Sequence, residues 1–145
     1  MDPPLTAFGV EVVHEMNRLG MIVDMSHIAH TTMRKVLDVT KAPVIFSHSS
    51  VFSICKNQRN VPDDVIQRIP ANGGVIMVNF WPSFVSCSSN ATLSQVADHI
   101  EYLRNSVGAD YIGYGSDFDG IPTVPKGLED VSKYVELTAE LVRRD

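Results

Sequence analysis

The sequence predicts an α/β protein in which a parallel sheet is covered by helices. Three observations carry that reading. Short segments that are apolar at nearly every position alternate with longer segments that are apolar at helical spacing, and the unit recurs every ~20 to 35 residues. Each short segment leads to a polar, chemistry-bearing residue: His27 after the first, His48 after the second, Asn79 at the end of the third and Asp117 after the fourth. No long linker or low-complexity stretch divides the 145 residues, which is about one domain by length.

The elements follow in order. Leu5, Phe8, Val12, Met16 and Leu19 recur at helical spacing, and Gly20 closes that helix. MIVDM (21–25) reads as the first strand. HTTMRKVLDV (30–39) reads as a helix with Thr31 or Thr32 as its N-cap, and APVIFS (42–47) as the second strand. In VPDDVIQRI (61–69), Pro62 suits the first helical position and acidic residues fill the first turn; Pro70 and Asn72-Gly73-Gly74 end that helix. VIMVNF (75–80) is the third strand. The clearest helix is 92–108: Thr92 and Gln95 fit a capping box, Leu93, Val96, Ala97, Ile100 and Leu103 form its apolar face, and Gly108 ends it. YIGYGS (111–116) is the fourth strand, and 127–144 the final helix.

Composition narrows the function. Hydrophobic residues make up 44% and charged residues 20%, as in ordinary globular domains. A net charge of -5 argues against a nucleic-acid partner, which requires a basic surface. No apolar run approaches the ~20 residues of a membrane span. No signal peptide is visible, and MDPPLTAFG, already close to helical patterning, reads as a start in mid-protein. Two cysteines are too few for a disulfide framework.

In parallel α/β folds ligands bind at the carboxyl ends of strands. His27, His48 and Asp117 therefore face one end of the sheet, and two imidazoles with a carboxylate are the donor types that hold zinc. A single histidine after a strand is ordinarily a hydrogen-bonded core residue; two at equivalent positions on adjacent strands leave both readings open, because no H-E-x-x-H spacing supports a ligand pair. His14 and His99 lie on helices, where solvent or packing roles are expected. His30, although it forms H-x-x-H with His27, is expected to be an exposed residue at a helix start. Cys55 and Cys87 fall in loops on the same face, after the second and third strands; free buried thiols and a bridge both remain open. Asn90-Ala91-Thr92 is an acceptor triplet for N-linked sugar just before a helix.

The motifs VDMSH, APVIFSHSS, RNVPDDV, IMVNF, LSQVADHI, GSDFDG and GLEDVSKY, in that order, closely resemble the membrane dipeptidase family of zinc hydrolases, over about Leu5 to Arg144. The resemblance implies a (β/α)8 TIM-barrel metallohydrolase of the amidohydrolase-like type that cleaves dipeptides at a two-zinc site. It makes His27 and His48 ligands of one zinc. Arg59 becomes the receiver of the substrate's terminal carboxylate, a task suited to a planar two-pronged cation. Asp117 becomes the residue beside the metals that bonds the attacking water or the substrate amine and helps move a proton, and Asp119 a loop-shaping residue. The family's His-x-Asp pair, its bridging glutamate and a substrate-contacting histidine have no counterpart: no His-x-Asp occurs, and Glu11 and Glu15 lie on the first helix. The chain thus looks like one partial domain, 1–145, the carboxyl half of the barrel with about four of eight βα units. The resemblance also implies a Cys55–Cys87 disulfide, a glycosylated Asn90, and a place on the outer face of the plasma membrane through a lipid anchor outside this chain, with a homodimer as one assembly. Alone, the 145 residues are expected to be inactive and poorly soluble. Two other functions stay in view: a non-catalytic family member acting as a binding protein, and another amidohydrolase-type barrel enzyme.

Overall fold

A computed structural model describes residues 4–145. Helix α1 (Ala7–Leu19) is capped by the Thr6 hydroxyl, which accepts from the Gly9 N–H at 3.1 Å, and ends at Gly20, whose φ of 70° is the left-handed conformation glycine adopts without penalty. Then follow β1 (Val23–Asp24), α2 (His30–Val39), β2 (Val44–Phe46), the short helices α3 (Asp63–Ile66) and α4 (Ile69–Asn72), β3 (Val75–Val78), α5 (Pro82–Val85), α6 (Leu93–Val107), β4 (Ile112–Tyr114) and α7 (Tyr134–Arg144). The four strands form one sheet in sequential order, β1-β2-β3-β4, and every pair is parallel. Four successive βα units of this kind constitute half of an eight-stranded barrel.

Burial alternates along the strands. Val44, Phe46, Ile76 and Val78 are buried under the helices, while Ile45, Val75 and Met77 on the other face are only partly covered. The continuous apolar patterning of the strands suits burial on both faces, so the partly open face is apolar surface awaiting a covering layer. Among the described residues both sheet edges are likewise unpaired, at β1 and β4. Beside them Phe8, Met21, Ile22, Val135 and Val142 are exposed. On the covered face the core joins Met25, Met33, Phe46, Ile66, Ile69, Phe80, Leu103, Leu128 and Leu137, all with no exposure.

Several boundaries differ from the sequence reading. The N-cap of α2 is Ala29, not Thr31 or Thr32, and it makes no side-chain cap bond. The helix starts early because His30, its first residue, is held by a 2.8 Å hydrogen bond to the Asn60 carbonyl and stacks edge-on against Phe52. His30 is therefore a half-buried connector rather than an exposed helix start. The helix expected at 61–69 is two short ones. Pro62 is the N-cap of α3, and Pro70 is the second residue of α4 instead of ending the preceding helix, since a first-turn residue needs no N–H. The final helix begins at Tyr134, after a 3₁₀ turn (Val131–Lys133) capped by Asp130. The capping box of α6 forms as its spacing predicts: Thr92 N–H donates to Gln95 Oε1 at 3.0 Å, and Gln95 N–H donates to the Thr92 hydroxyl.

Candidate functional site

His27 follows β1 and His48 follows β2, and their rings converge. The two Nε2 atoms are 2.8 Å apart, with ring centroids 4.9 Å apart and planes at 66°. Such a contact requires one nitrogen to donate and the other to accept, and the neighbouring groups determine which. Asp24 Oδ2 accepts from the Ser47 hydroxyl at 2.5 Å, so that hydroxyl has spent its only proton. Its lone pairs face His48 Nδ1 at 2.8 Å, and His48 Nδ1–H must be the donor there. A neutral His48 then has a bare Nε2, which accepts from His27 Nε2–H.

Local backbone bonds set this geometry. Asp24 Oδ1 also accepts from the Ser26 N–H at 2.9 Å and the Ser47 N–H at 3.1 Å, so one carboxylate ties the loop before His27 to the loop before His48. The Ser26 hydroxyl accepts from the His48 N–H at 3.0 Å. Partial burial opposes ionisation of Asp24, but three hydrogen bonds, from the Ser47 hydroxyl and the Ser47 and Ser26 N–H groups, hold its carboxyl below the usual pKa. His27 has its pKa lowered by burial and by the nearby Arg59 cation, against the opposing carboxylates of Asp117 and Asp24. The Cβ of any other residue at Gly115 would fall 2.1 Å from the Ser47 carbonyl oxygen, so glycine there lets the end of β4 close over the loop of His48.

Asp117 joins the same mouth. Its Oδ2 accepts from Asn79 Nδ2 at 3.0 Å and lies 4.0 Å from His48 Nε2. Asn79 is fully buried, and the Trp81 N–H fixes its amide by donating to Oδ1 at 2.6 Å. His27 and Asp117 both have left-handed backbone, with φ of 70° and 63°. That conformation is uncommon outside glycine and costs on the order of 1 kcal/mol or more, and non-glycine outliers of this kind concentrate at functional sites. Asp119, two residues on, is exposed.

Arg59 lies half-buried in the loop after β2, its guanidinium carbon 5.0 Å above the centre of the Phe84 ring. Its Nε and Nη2 are buried and make no hydrogen bond among the described residues. Burial lowers its pKa, while Asp117 and Asp24 favour the cation. Asn60, the next residue, donates to the Cys55 carbonyl at 2.9 Å and the Phe84 carbonyl at 2.8 Å, fixing the loop against α5. Cys55 and Cys87 are joined in a disulfide with Cα atoms 5.4 Å apart. Asn90 is exposed. His14 is exposed beside Glu11, and His99 is fully buried, a packing role.

The donors suit zinc in part. Two imidazoles at tetrahedral angles around one zinc stand about 3.3 Å apart, a small opening from the observed contact. Among the described residues no group of three or more His, Cys, Asp or Glu side chains is gathered for a metal, so two zinc positions would be filled from elsewhere. An apolar groove of about 400 Å³ between α6, α7 and the outer edge of β4 includes Ile100, Tyr114, Leu141 and Val142, and none of the site residues lines it.

The sequence model for "Membrane dipeptidase (Peptidase family M19)" matches residues 2–145. Among curated proteins the chain is 53% identical over 145 residues to an uncharacterized dipeptidase of Schizosaccharomyces pombe, covering 99% of this chain and 35% of the relative. It is 48% identical over 140 residues to Dipeptidase 3 of Rattus norvegicus, covering 97% of this chain and 29% of that protein. The chain thus spans about a third of the length of these relatives. Among solved structures, a metallopeptidase from Rhodobacter sphaeroides liganded with a phosphinate mimic of the dipeptide L-Ala-D-Ala superposes with a TM-score of 0.91 at 30% identity, over 99% of this chain and 42% of that one. An amidohydrolase from Pseudomonas aeruginosa gives 0.88 at 30% identity, over 99% and 52%.

Proposed function

The chain belongs to the membrane dipeptidase family, and from that premise we propose that it supplies the carboxyl half of a zinc dipeptidase active site. The observation that carries this reading is the convergence of His27 and His48 Nε2 at the ends of adjacent parallel strands, 2.8 Å apart. His27 and His48 would hold one zinc. When bound, zinc supplies Lewis acidity and lowers the pKa of water to near neutral. Arg59 would receive a dipeptide's terminal carboxylate as two parallel hydrogen bonds, a role supported by its unpartnered Nε and Nη2. Asp117, whose Oδ2 accepts from Asn79 and faces His48, would take a proton from the attacking water or hold the substrate's amine.

The second zinc, with its ligands, belongs to the remainder of the barrel. The unpaired edges of β1 and β4 and the exposed apolar side chains beside them support such a remainder, so residues 1–145 alone are expected to be inactive. The disulfide and the exposed Asn90-Ala91-Thr92 support an extracellular protein glycosylated at Asn90. On this reading a lipid anchor outside these residues holds it to the membrane, and a homodimer is its assembly.

The test compares a dipeptide with the same dipeptide amidated at its carboxyl end, using the intact protein loaded with zinc. Arg59→Ala should lower kcat/KM for the free dipeptide by ~10- to 100-fold, the loss of a charge-assisted hydrogen-bond pair. It should leave the poor amidated substrate nearly unchanged. No zinc-dependent hydrolysis of any dipeptide by the wild-type protein would defeat the proposal. For location, enzymatic deglycosylation should lower the mass of the secreted protein, and Asn90→Gln should remove that shift.

A further inference from the structure

We infer that Asp24 is a positioning residue which, acting through Ser47, selects the tautomer of His48 that leaves Nε2 bare toward the metal position. The inference rests on the zinc reading above. An imidazole can bind a metal only through a nitrogen that carries no proton. In neutral histidine the two tautomers are close in energy, so the partner of the far nitrogen decides which one prevails. Here that partner is a hydroxyl, which by itself could either donate to Nδ1 or accept from it. A free hydroxyl would leave the choice open. Asp24 removes the ambiguity, because an ionised carboxylate accepts only, and it takes the Ser47 proton at 2.5 Å. Ser47 Oγ can then only accept, and His48 Nδ1, at 2.8 Å, must donate. The direction of polarity runs from His48 through Ser47 to Asp24, and reversing its last link would reverse its first.

Asp24 adds a second constraint. Its other oxygen accepts the N–H groups of Ser26 and Ser47, the residues immediately before His27 and His48. The group that chooses the tautomer is thus also the group that sets the spacing of the two loops.

Asp24→Asn keeps an oxygen for the two backbone N–H groups and nearly the same shape. Its amide nitrogen, however, would donate to Ser47 Oγ. The Ser47 proton would then turn toward His48 Nδ1, and the imidazole proton would move to Nε2, facing the metal position. The experiment is nitrogen NMR of histidine-labelled, metal-free intact protein at a pH where His48 is neutral, combined with zinc competition against a chromophoric chelator. Wild type should show Nδ1 protonated and Nε2 bare. Asp24→Asn should invert the pattern and weaken zinc by ~10- to 100-fold, the usual cost of losing an outer partner of a metal-bound histidine. Ser47→Ala retains the Asp24 charge and both backbone bonds but breaks the relay; it should give a mixture of tautomers and intermediate affinity. Ser47→Thr, which restores a hydroxyl, should return both readouts toward wild type.

An unchanged His48 tautomer in Asp24→Asn would overturn the inference even if zinc weakened, since loss of charge alone would then account for the change. So would wild-type affinity in Ser47→Ala. Wild-type protein that binds no zinc would defeat the dipeptidase reading instead, and the tautomer pattern of the metal-free protein would still decide the role of Asp24.

Discussion

His48 and His99 each lie against the loop after β2, one at the strand ends and one inside the helical layer, and their nitrogens are used in opposite ways. His99 has no exposed surface, and both its nitrogens are committed to backbone: Nδ1 accepts from the Val51 N–H at 2.9 Å and Nε2 donates to the Val85 carbonyl at 2.8 Å. His48 is half-buried, with Nδ1 engaged by Ser47 and Nε2 directed at another imidazole. A histidine whose two nitrogens both meet backbone is a structural strut. One whose outer nitrogen meets only another titratable side chain is free to exchange that partner for a ligand. The strut still serves the site, because it links the loop of Arg59 to the helix that carries Phe84.

The contrast predicts divergent losses. His48→Ala in the intact protein should reduce dipeptide turnover by about a thousandfold or more, yet shift the unfolding free energy by no more than about 1 kcal/mol, as for substitutions outside the core. Chemical denaturation beside steady-state kinetics would check both numbers. A loss of stability comparable to the loss of activity would erase the distinction.

His99→Leu should do the reverse. It leaves the Val51 N–H and the Val85 carbonyl buried without partners, at ~1 to 3 kcal/mol each, so denaturation should show about 3 kcal/mol lost. Zinc content per folded molecule should stay at the wild-type value. The disulfide lies on the same side of the comparison. Cys55 and Cys87 are 32 residues apart in sequence, and opening the bridge under mild reductant should lower stability by ~3 to 4 kcal/mol on chain-entropy grounds.

A smaller effect appears with pH. Burial lowers the His99 pKa, against opposing contributions from the Val85 carbonyl and Asp98. Its unfolded value is about 6.5. Above that pH both states are neutral at His99 and its contribution is complete. Below it the unfolded chain takes up a proton that the folded chain refuses, so stability falls as pH drops from about 6.5 toward the folded pKa. Protonation would also set Nδ1–H against the Val51 N–H. Denaturation at a series of pH values should show this slope in wild type and a shallower one in His99→Leu. Equal slopes would mean that folding leaves the His99 pKa at its unfolded value.

How far these roles could be read from sequence follows from the range of the interactions. The strand rhythm placed His27, His48, Asn79 and Asp117 at one end of the sheet, and the capping box located α6, because both signals are local and periodic. Residue types alone could not assign His30 to Asn60 or His99 to Val51 and Val85, since those partners lie 30 and 48 or 14 residues away. Asp24 was hidden differently. It reads as one polar residue within an apolar strand, and its role depends on the cross-strand pairing that brings Ser47 beside it. The left-handed backbone of His27 and Asp117 also has no signature in composition, because glycine, the usual marker, is absent there. Helix boundaries near Pro62 and Pro70 moved because proline at a helix start and proline after a helix end look alike in sequence.

The central claim is that His27 and His48 together hold one of two zincs. Metal analysis of the intact protein, saturated with zinc, freed of excess metal and compared with His48→Ala, tests it most directly. The account predicts two zincs per chain in wild type and one in the variant, with the fold unchanged by circular dichroism. Equal zinc in both proteins would contradict it.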